Sequence, residues 1–265
     1  VLVHELSAGA LALPRLTVEL AEDAQATVIE VFIGDGGATL PVTELDLAPA
    51  ARLAHASVQL LGANATAMGR IGGRVARDAN LALSSASFGG SYARLRSDVE
   101  LVGEGASSQV RSTYLGTGSQ VHDLRTMQDH RAARTTSDML CKGAVTGSSR
   151  SVYTGLIRMV QGARRAEANQ TNHNLVLDER AHADSVPNLD IAENDVRCSH
   201  GSTVGPIDPD QRYYLESKGI SPDLAERLIV AGFFADAIAA VPLEALRELL
   251  VAEAGRRLDA VEVDR

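Results

Sequence analysis

Residues 24–195 break into short pieces of strand character separated by Gly, Asn, Asp and Ser, and few stretches hold a helical period for three turns. Ala93, Leu95, Ser97, Val99 and Leu101 alternate with Arg94, Arg96, Asp98 and Glu100, the pattern of a strand with one buried and one wet face. Thr27, Ile29, Val31 and Ile33 make a shorter alternation. Further strands are expected at 52–61, 65–71, 81–87, 109–115, 120–127, 136–142, 152–160 and 172–177. Such pieces recur roughly every 10 to 14 residues, a spacing that fits a sandwich, a barrel or a solenoid. Almost no connection carries a hairpin turn, with Asp35-Gly36-Gly37 the one candidate, and this favours a solenoid that turns corners on single small residues. Small and polar residues on both strand faces, among them Ser84, Ser85, Ser87, Ser107, Ser108, Ser112, Thr135, Thr136 and Ser137, suit flat solenoid faces. No strict hexapeptide or nonapeptide repeat is visible.

The character changes after Pro206. Asp208-Pro209-Asp210-Gln211 reads as an N-cap, a proline at the first helical position and a capping-box glutamine, opening a helix stopped at Gly219. Ser221-Pro222 opens a second helix with Leu224, Leu228, Ile229, Gly232 and Phe233 at helical spacing. Pro242 precedes a third, carrying Leu243, Leu246, Leu249 and Leu250, and the charged tail from Asp259 is expected to fray. The expected division is a β core over 1–207 and a helical domain over 208–265. Such a helical module either caps the end of a solenoid or docks a partner.

The segment between Pro187 and Ile220 holds one of two cysteines with a histidine two residues beyond. If Asp195 to His200 is extended, Val196, Cys198 and His200 share one face and Arg197 and Ser199 the other. A thiolate beside an imidazole suits zinc, copper or iron–sulfur ligation. Two ligands do not close a tetrahedral site, so another chain or a distant segment would supply the rest. Cys141, in Met139-Leu140-Cys141-Lys142, reads as core. His122, His130, His173 and His182 are scattered without the spacing of a zinc site, and Gly69-Arg70-Ile71-Gly72-Gly73 lacks the lysine of a phosphate loop.

The 265 residues carry 25 basic and 34 acidic side chains, a net charge of −9 that argues against nucleic acid as a partner. Two cysteines exclude a disulfide framework and fit a reducing cytosol. No apolar run is long enough for a membrane span, and no signal-peptide pattern is present. The chain opens with Val1 inside what reads as an element, so a fragment is expected.

The run Asp195-Val196-Arg197-Cys198-Ser199-His200-Gly201-Ser202-Thr203-Val204-Gly205, with Tyr213-Tyr214-Leu215 and Lys218-Gly219-Ile220 after it, resembles the signature of the SufB/SufD family of iron–sulfur cluster assembly proteins. So do Ser148-Ser149-Arg150-Ser151-Val152-Tyr153-Thr154-Gly155, Gln170-Thr171-Asn172-His173-Asn174-Leu175-Val176-Leu177 and Pro187-Asn188-Leu189-Asp190-Ile191. The Cys-Ser-His-Gly form is similar to the SufD branch.

The resemblance implies a right-handed parallel β-helix with a carboxy-terminal α-helical domain, pairing with SufB and docking the SufC ATPase. The additional amino-terminal helical region of the family is absent from this sequence. It further implies a cytoplasmic, non-catalytic scaffold that holds no cofactor tightly alone. Cys198 and His200 would contribute to a transient iron–sulfur cluster, or iron, shared with SufB, and the isolated chain could form a homodimer. Leu224, Leu228, Phe233, Leu246 and Leu250 are the expected docking residues for the ATPase. Two rivals stand beside this reading. One is a purely structural subunit whose Cys198 and His200 only pack at the interface. The other is a β-helical enzyme acting on polysaccharide, which would need carboxylates clustered on a solenoid face, whereas Asp and Glu read as lying mostly in turns and the helical end.

Overall fold

The computed structural model describes residues 1–263: fifteen strands and three helices among the described residues. Every strand pairing is parallel, and the strand order β14-β12-β10-β8-β6-β7-β9-β11-β13-β15 places even strands in one stack and odd strands in the other. The chain is therefore a β-solenoid. It starts with β1 (Leu2–Glu5), β2 (Leu11–Ala12), β3 (Arg15–Leu20), β4 (Gln25–Thr39) and β5 (Val42–Leu47). The long β6 (Arg52–Val75) serves both stacks, pairing β7 (Asn80–Phe88) through its first half and β8 (Tyr92–Leu101) through its second. The remaining coils are β9 (Ser107–Gly116), β10 (Val121–His130), β11 (Thr136–Val145), β12 (Arg150–Met159), β13 (Glu167–Val176), β14 (His182–Ile191) and β15 (Arg197–Gly205). One coil holds two strands and two corners; side-chain hydrogen bonds such as Asn80 to Ser107 and Asn169 to Asp138 join residues 27 to 31 apart.

Two expected strands, 52–61 and 65–71, are thus one strand bent around a corner. The hairpin expected at Asp35-Gly36-Gly37 is not one: these residues lie within β4, where the pairing to β6 shifts between Gly34 and Gly36 and the chain bends while staying parallel. The strands β1, β2, β3, β5 and β14 were not among those expected. β1, β2, β3 and β14 are short or polar and lie toward the two ends of the solenoid, and β5 is a six-residue strand between β3 and β6 that buries Leu45 and Leu47.

The lumen is filled by alternate residues. Leu53, Ile71, Val75, Leu81, Val99, Leu101, Val110, Met139, Ile157 and Met159 form an apolar cluster along one edge. Farther along the same coils the lumen turns polar and aromatic, with Tyr114, Cys141 and Tyr153 buried alongside Leu124. Tyr114 pairs in register with Gly143, and a methyl group there would come 2.1 Å from the ring. The missing side chain is what lets the ring lie flat across the next coil.

The helices are α1 (Pro209–Ser217), α2 (Pro222–Ile238) and α3 (Glu244–Val263). The Asp208 side chain accepts a 2.9 Å hydrogen bond from the Asp210 amide, as its N-cap position requires. The helical module does not cap the solenoid end. Val230, Phe234, Ile238 and Val241 around α2, with Leu246, Leu250, Ala254 and Leu258 of α3, pack on the outer face of the odd stack, against Ile29, Ala56, Val58, Ala86, Phe88, Leu115 and Ala144. Of the tail from Asp259, residues as far as Val263 belong to α3 and Asp259 pairs with Arg227, while 264–265 lie outside the described residues. Among the described residues no helix is long and apolar enough to cross a membrane.

Two lumen histidines tie the fold to pH. Burial pushes His122 down to about 4, helped by Arg257, and pushes His130 to about 4 against the pull of Asp129. The native imidazoles stay neutral where an unfolded histidine, near 6.5, binds a proton, so stability is lost as pH falls from about 6.5 to 4. Each contributes on the order of 3 kcal/mol to that loss. The urea midpoint is expected to drop across this window, and His130→Gln to flatten part of the slope; an equally steep slope in the variant would remove His130 as a source.

Candidate functional site

Cys198 and His200 lie on β15, the last strand of the odd stack, in register with Ala168 and Gln170 of β13. Because Ala168 and Gln170 are buried in the lumen, the period of two turns Cys198, His200 and Ser202 to the same side. The thiol and imidazole therefore share a face, their Cα atoms about 7 Å apart along the strand. Cys198 packs with Val196 against the apolar lumen edge and is half-buried, while His200 is exposed.

β15 has a strand neighbour on one side only, and so has β14, the last strand of the even stack. The carboxy-terminal end of the solenoid is thus open, with two bare strand edges. Around it Val186, Leu189, Ile191 and Val204 are exposed. A bare edge beside exposed apolar residues is a template for another strand.

Below this rim the lumen is lined with polar groups. Ser202 donates to Ser185 at 2.7 Å, Ser185 to the side-chain Oδ1 of Asn172 at 2.7 Å, and the Asn174 side-chain amide to the same oxygen at 2.7 Å. Asn174 accepts from the Tyr114 hydroxyl in turn. Directly beneath His200, the fully buried Gln170 has neither amide atom hydrogen-bonded to protein. No sequence signal marked these lumen groups, since a serine or asparagine at an inward position is indistinguishable from one on a wet face until the register is known.

The two cysteines differ sharply. Cys141, on β11, faces the sealed lumen, and burial pushes its thiol up to about 12 despite hydrogen bonds with Tyr153 and Ser112. Cys198 is also raised by burial, and no cation lowers it. The raised thiol keeps its proton at neutral pH, and any metal that bound it would have to displace that proton. Among the described residues no group of three or more His, Cys, Asp or Glu side chains is placed to hold a metal ion.

The expected docking stripe is divided by the fold. Leu224 and Leu228 are 41% and 46% exposed on α2, but Leu246 and Leu250 are 6% and 0% exposed, buried against the solenoid. Phe233 is half-buried beside Lys142. Leu246 and Leu250 are thus core residues, and their removal would undock α3 from the sheet. Among the described side chains of the last helix, the large apolar ones that face outward are Leu249 and Val251 instead.

Some carboxylates stand on a solenoid face, spread along the strands rather than clustered. Asp98, Asp123 and Asp129 stand on the outer face of the even stack. Arginines neutralise them: Arg96 to Asp98 at 2.8 Å, Arg125 to Asp123 at 3.0 Å and Arg131 to Asp129 at 2.8 Å. With each carboxylate engaged by an arginine, the face offers no opposed pair of free carboxylates, which weakens the polysaccharide reading.

Residues 3–233 match the family model described as SUF system FeS cluster assembly, SufBD core domain. An iron-sulfur cluster assembly protein SufD of Escherichia coli is 33% identical over 247 residues, covering 92% of this chain and 58% of that protein. A SufBD family protein of Mycobacterium tuberculosis is 31% identical over 262 residues, covering 96% and 66%. SufD of Bacillus subtilis is 34% identical over 158 residues, covering 60% of the chain and 36% of that protein. The chain spans roughly three fifths to two thirds of the length of the first two relatives.

The thiol contrast gives an expected outcome. Iodoacetamide at pH 8 labels Cys198 slowly, with a rate still rising at pH 9, while Cys141 is labelled only after denaturation; mass mapping of modified peptides reads both. Equal labelling of the two in the native chain would contradict the sealed lumen at β11.

Proposed function

The chain belongs to the SufB/SufD family, with a SufD-like sequence, and on that premise we propose that it is a scaffold subunit of SUF iron–sulfur cluster assembly. In this reading it has no turnover of its own and works in the cytoplasm. The observation that carries the proposal is the position of Cys198 and His200 on the lumen side of a terminal strand with a bare edge. A SufB-like partner that adds strands to β14 and β15 would cover the exposed Val186, Leu189, Ile191 and Val204 and bring its own ligands to Cys198 and His200. The nascent cluster is then cargo, held by thiolate and imidazole shared between two chains. A half-site suits cargo, because separating or shifting the partners releases it.

Anaerobic iron–sulfur reconstitution of the complex with a SufB-like subunit tests this. Cys198→Ser and His200→Ala are each expected to lower cluster absorbance at least several-fold without weakening subunit association. Unchanged loading in both would leave the two residues with a packing role only, the purely structural reading.

The ATPase partner, a SufC-like protein, is assigned to the outward surface of the helices, where Leu224 and Leu228 continue toward Tyr213 and Tyr214 of α1, all exposed. Phe233 borders this surface. Leu224→Asp with Leu228→Asp is expected to reduce co-purification of the ATPase by about tenfold or more, the range of an interface hot spot. The far-UV spectrum and melting temperature should stay near wild type, since both side chains are on the wet face. Full retention of the ATPase would move the docking surface elsewhere.

A further inference from the structure

Lys142 stands on the outer face of β11 where α2 crosses the sheet. Its Nζ donates to the Phe233 carbonyl oxygen at 2.8 Å and to Asp236 at 2.9 Å, and lies 4.9 Å from the centre of the Phe233 ring. The side chain is only 13% exposed, so these are semi-buried, charge-assisted contacts. In register, Lys142 is followed by His173 on β13 and His173 by Thr203 on β15. The His173 Nδ1 shares a hydrogen bond with the Thr203 hydroxyl. Asp236, Lys142, His173 and Thr203 thus form a line from α2 to the terminal strand, hydrogen-bonded at its two ends and joined in the middle by the register of Lys142 beside His173.

Other ties hold β15 only to its own coil or the one before it. Ser199 donates to Asn169, Arg197 pairs with Glu167, and Ser202 donates to Ser185 across the lumen. The tie through Thr203 differs in continuing onto a helix. An edge strand has half the ladder of an inner strand, so side-chain ties make up a larger share of what fixes it.

We infer that Lys142 and His173 are positioning residues that link the setting of α2 to the setting of β15, and so to Cys198 and His200. The functional consequence rests on the reading of Cys198 and His200 as a cluster half-site; the link itself stands on the contacts at its two ends and on the register between them. A partner that shifts α2 would move the Phe233 carbonyl and Asp236 relative to Lys142, and the strain would pass through His173 to Thr203, three residues from His200. Burial first, and Lys142 second, hold His173 below the ordinary imidazole value, with Asp236 opposing them. A neutral ring beside the lysine avoids repulsion between neighbours in the column.

Hydrogen exchange on the intact chain, read by mass spectrometry on peptides from α2, β15, β8 and β10, tests the link without any partner. Lys142→Met is expected to speed exchange in the second half of α2 and in β15 by at least about fivefold, the lower range of a site-to-site coupling. Thr203→Val should speed β15 alone. The double variant should exchange in β15 no faster than Lys142→Met, because both changes cut one line. His173 titration followed by NMR should also move upward in Lys142→Met.

Three results would overturn the inference: β15 at wild-type rates in Lys142→Met, additive effects in the double variant, or a uniform rise through β8 and β10 that reports general destabilisation. In the first, Lys142 only holds the helix down. Failure here leaves the reconstitution result with Cys198→Ser and His200→Ala untouched, and failure there leaves the exchange result standing, so the two readings fall separately.

Discussion

A parallel solenoid can satisfy its backbone only by placing one coil on another, and that rule determines most of what this chain can do. The N–H and C=O groups of β13 are taken up by β11 on one side and β15 on the other, but β15 has β13 alone. A barrel closes on itself and hides its edges; a stack of coils must stop somewhere. Cys141 and Cys198 show the chemical consequence. Both face the lumen side of the odd stack, but Cys141 has a coil above it and is sealed, whereas Cys198 lies on the last coil and is half open. Place along the stack, more than residue type, separates an inert thiol from an available one.

The lumen behind that open end is not an ordinary apolar core. Ser185, Asn172, Asn174 and Tyr114 pass a chain of hydrogen bonds from the rim toward the middle of the molecule, and Thr126 meets Tyr153 nearby at 3.0 Å. Buried polar groups cost stability unless paired, and stacked coils offer many inward groups a partner above or below at a fixed spacing, although Gln170 is left without one. Small residues make room for this network. Gly143 beneath Tyr114 and Gly155 against Gln170 each leave space that a methyl group would fill. A glycine in the strand interior, usually a weakness, here permits a large polar side chain to cross the lumen.

Much of this architecture is legible in the sequence. The alternation at 93–101, the spacing of strand pieces and the near-absence of hairpin turns point to stacked parallel coils, and Cys198 and His200 on one face of an extended segment follow from a period of two. What the sequence does not carry is which of two apolar faces a helix buries. In α2 and α3 the apolar residues surround much of the axis, so Leu224 and Leu228 look no different from Leu246 and Leu250 until the solenoid is in place. The bends in β4 and β6 are hidden for a related reason. At such a corner the register shifts but the pairing resumes with the same neighbour, so the small residues at 62–64 read as a break between two strands when they mark a bend within one. The strand β14 was missed because its lumen face is short of coil above it and needs little apolar content.

The helices thereby acquire two faces with opposite duties. The inner face of α2, through Val230, Phe234 and Ile238, is fixed to the outside of the odd stack, and Lys142 locks the helix to that sheet with a charge as well. The outer face is free, and α1 in front of it buries no residue of its own, leaving Tyr213 and Tyr214 72% and 61% exposed. A helix held mainly by its neighbour helix belongs to the low-stability end of a fold and can be re-set at small cost. A pull applied to α1 would reach α2, and the sheet beneath α2 is the one that ends in β15. Had the helices capped the solenoid end, they would have covered the edge where another chain can pair. Packed along the flank, they leave that edge open while staying in contact with the strands that lead to it.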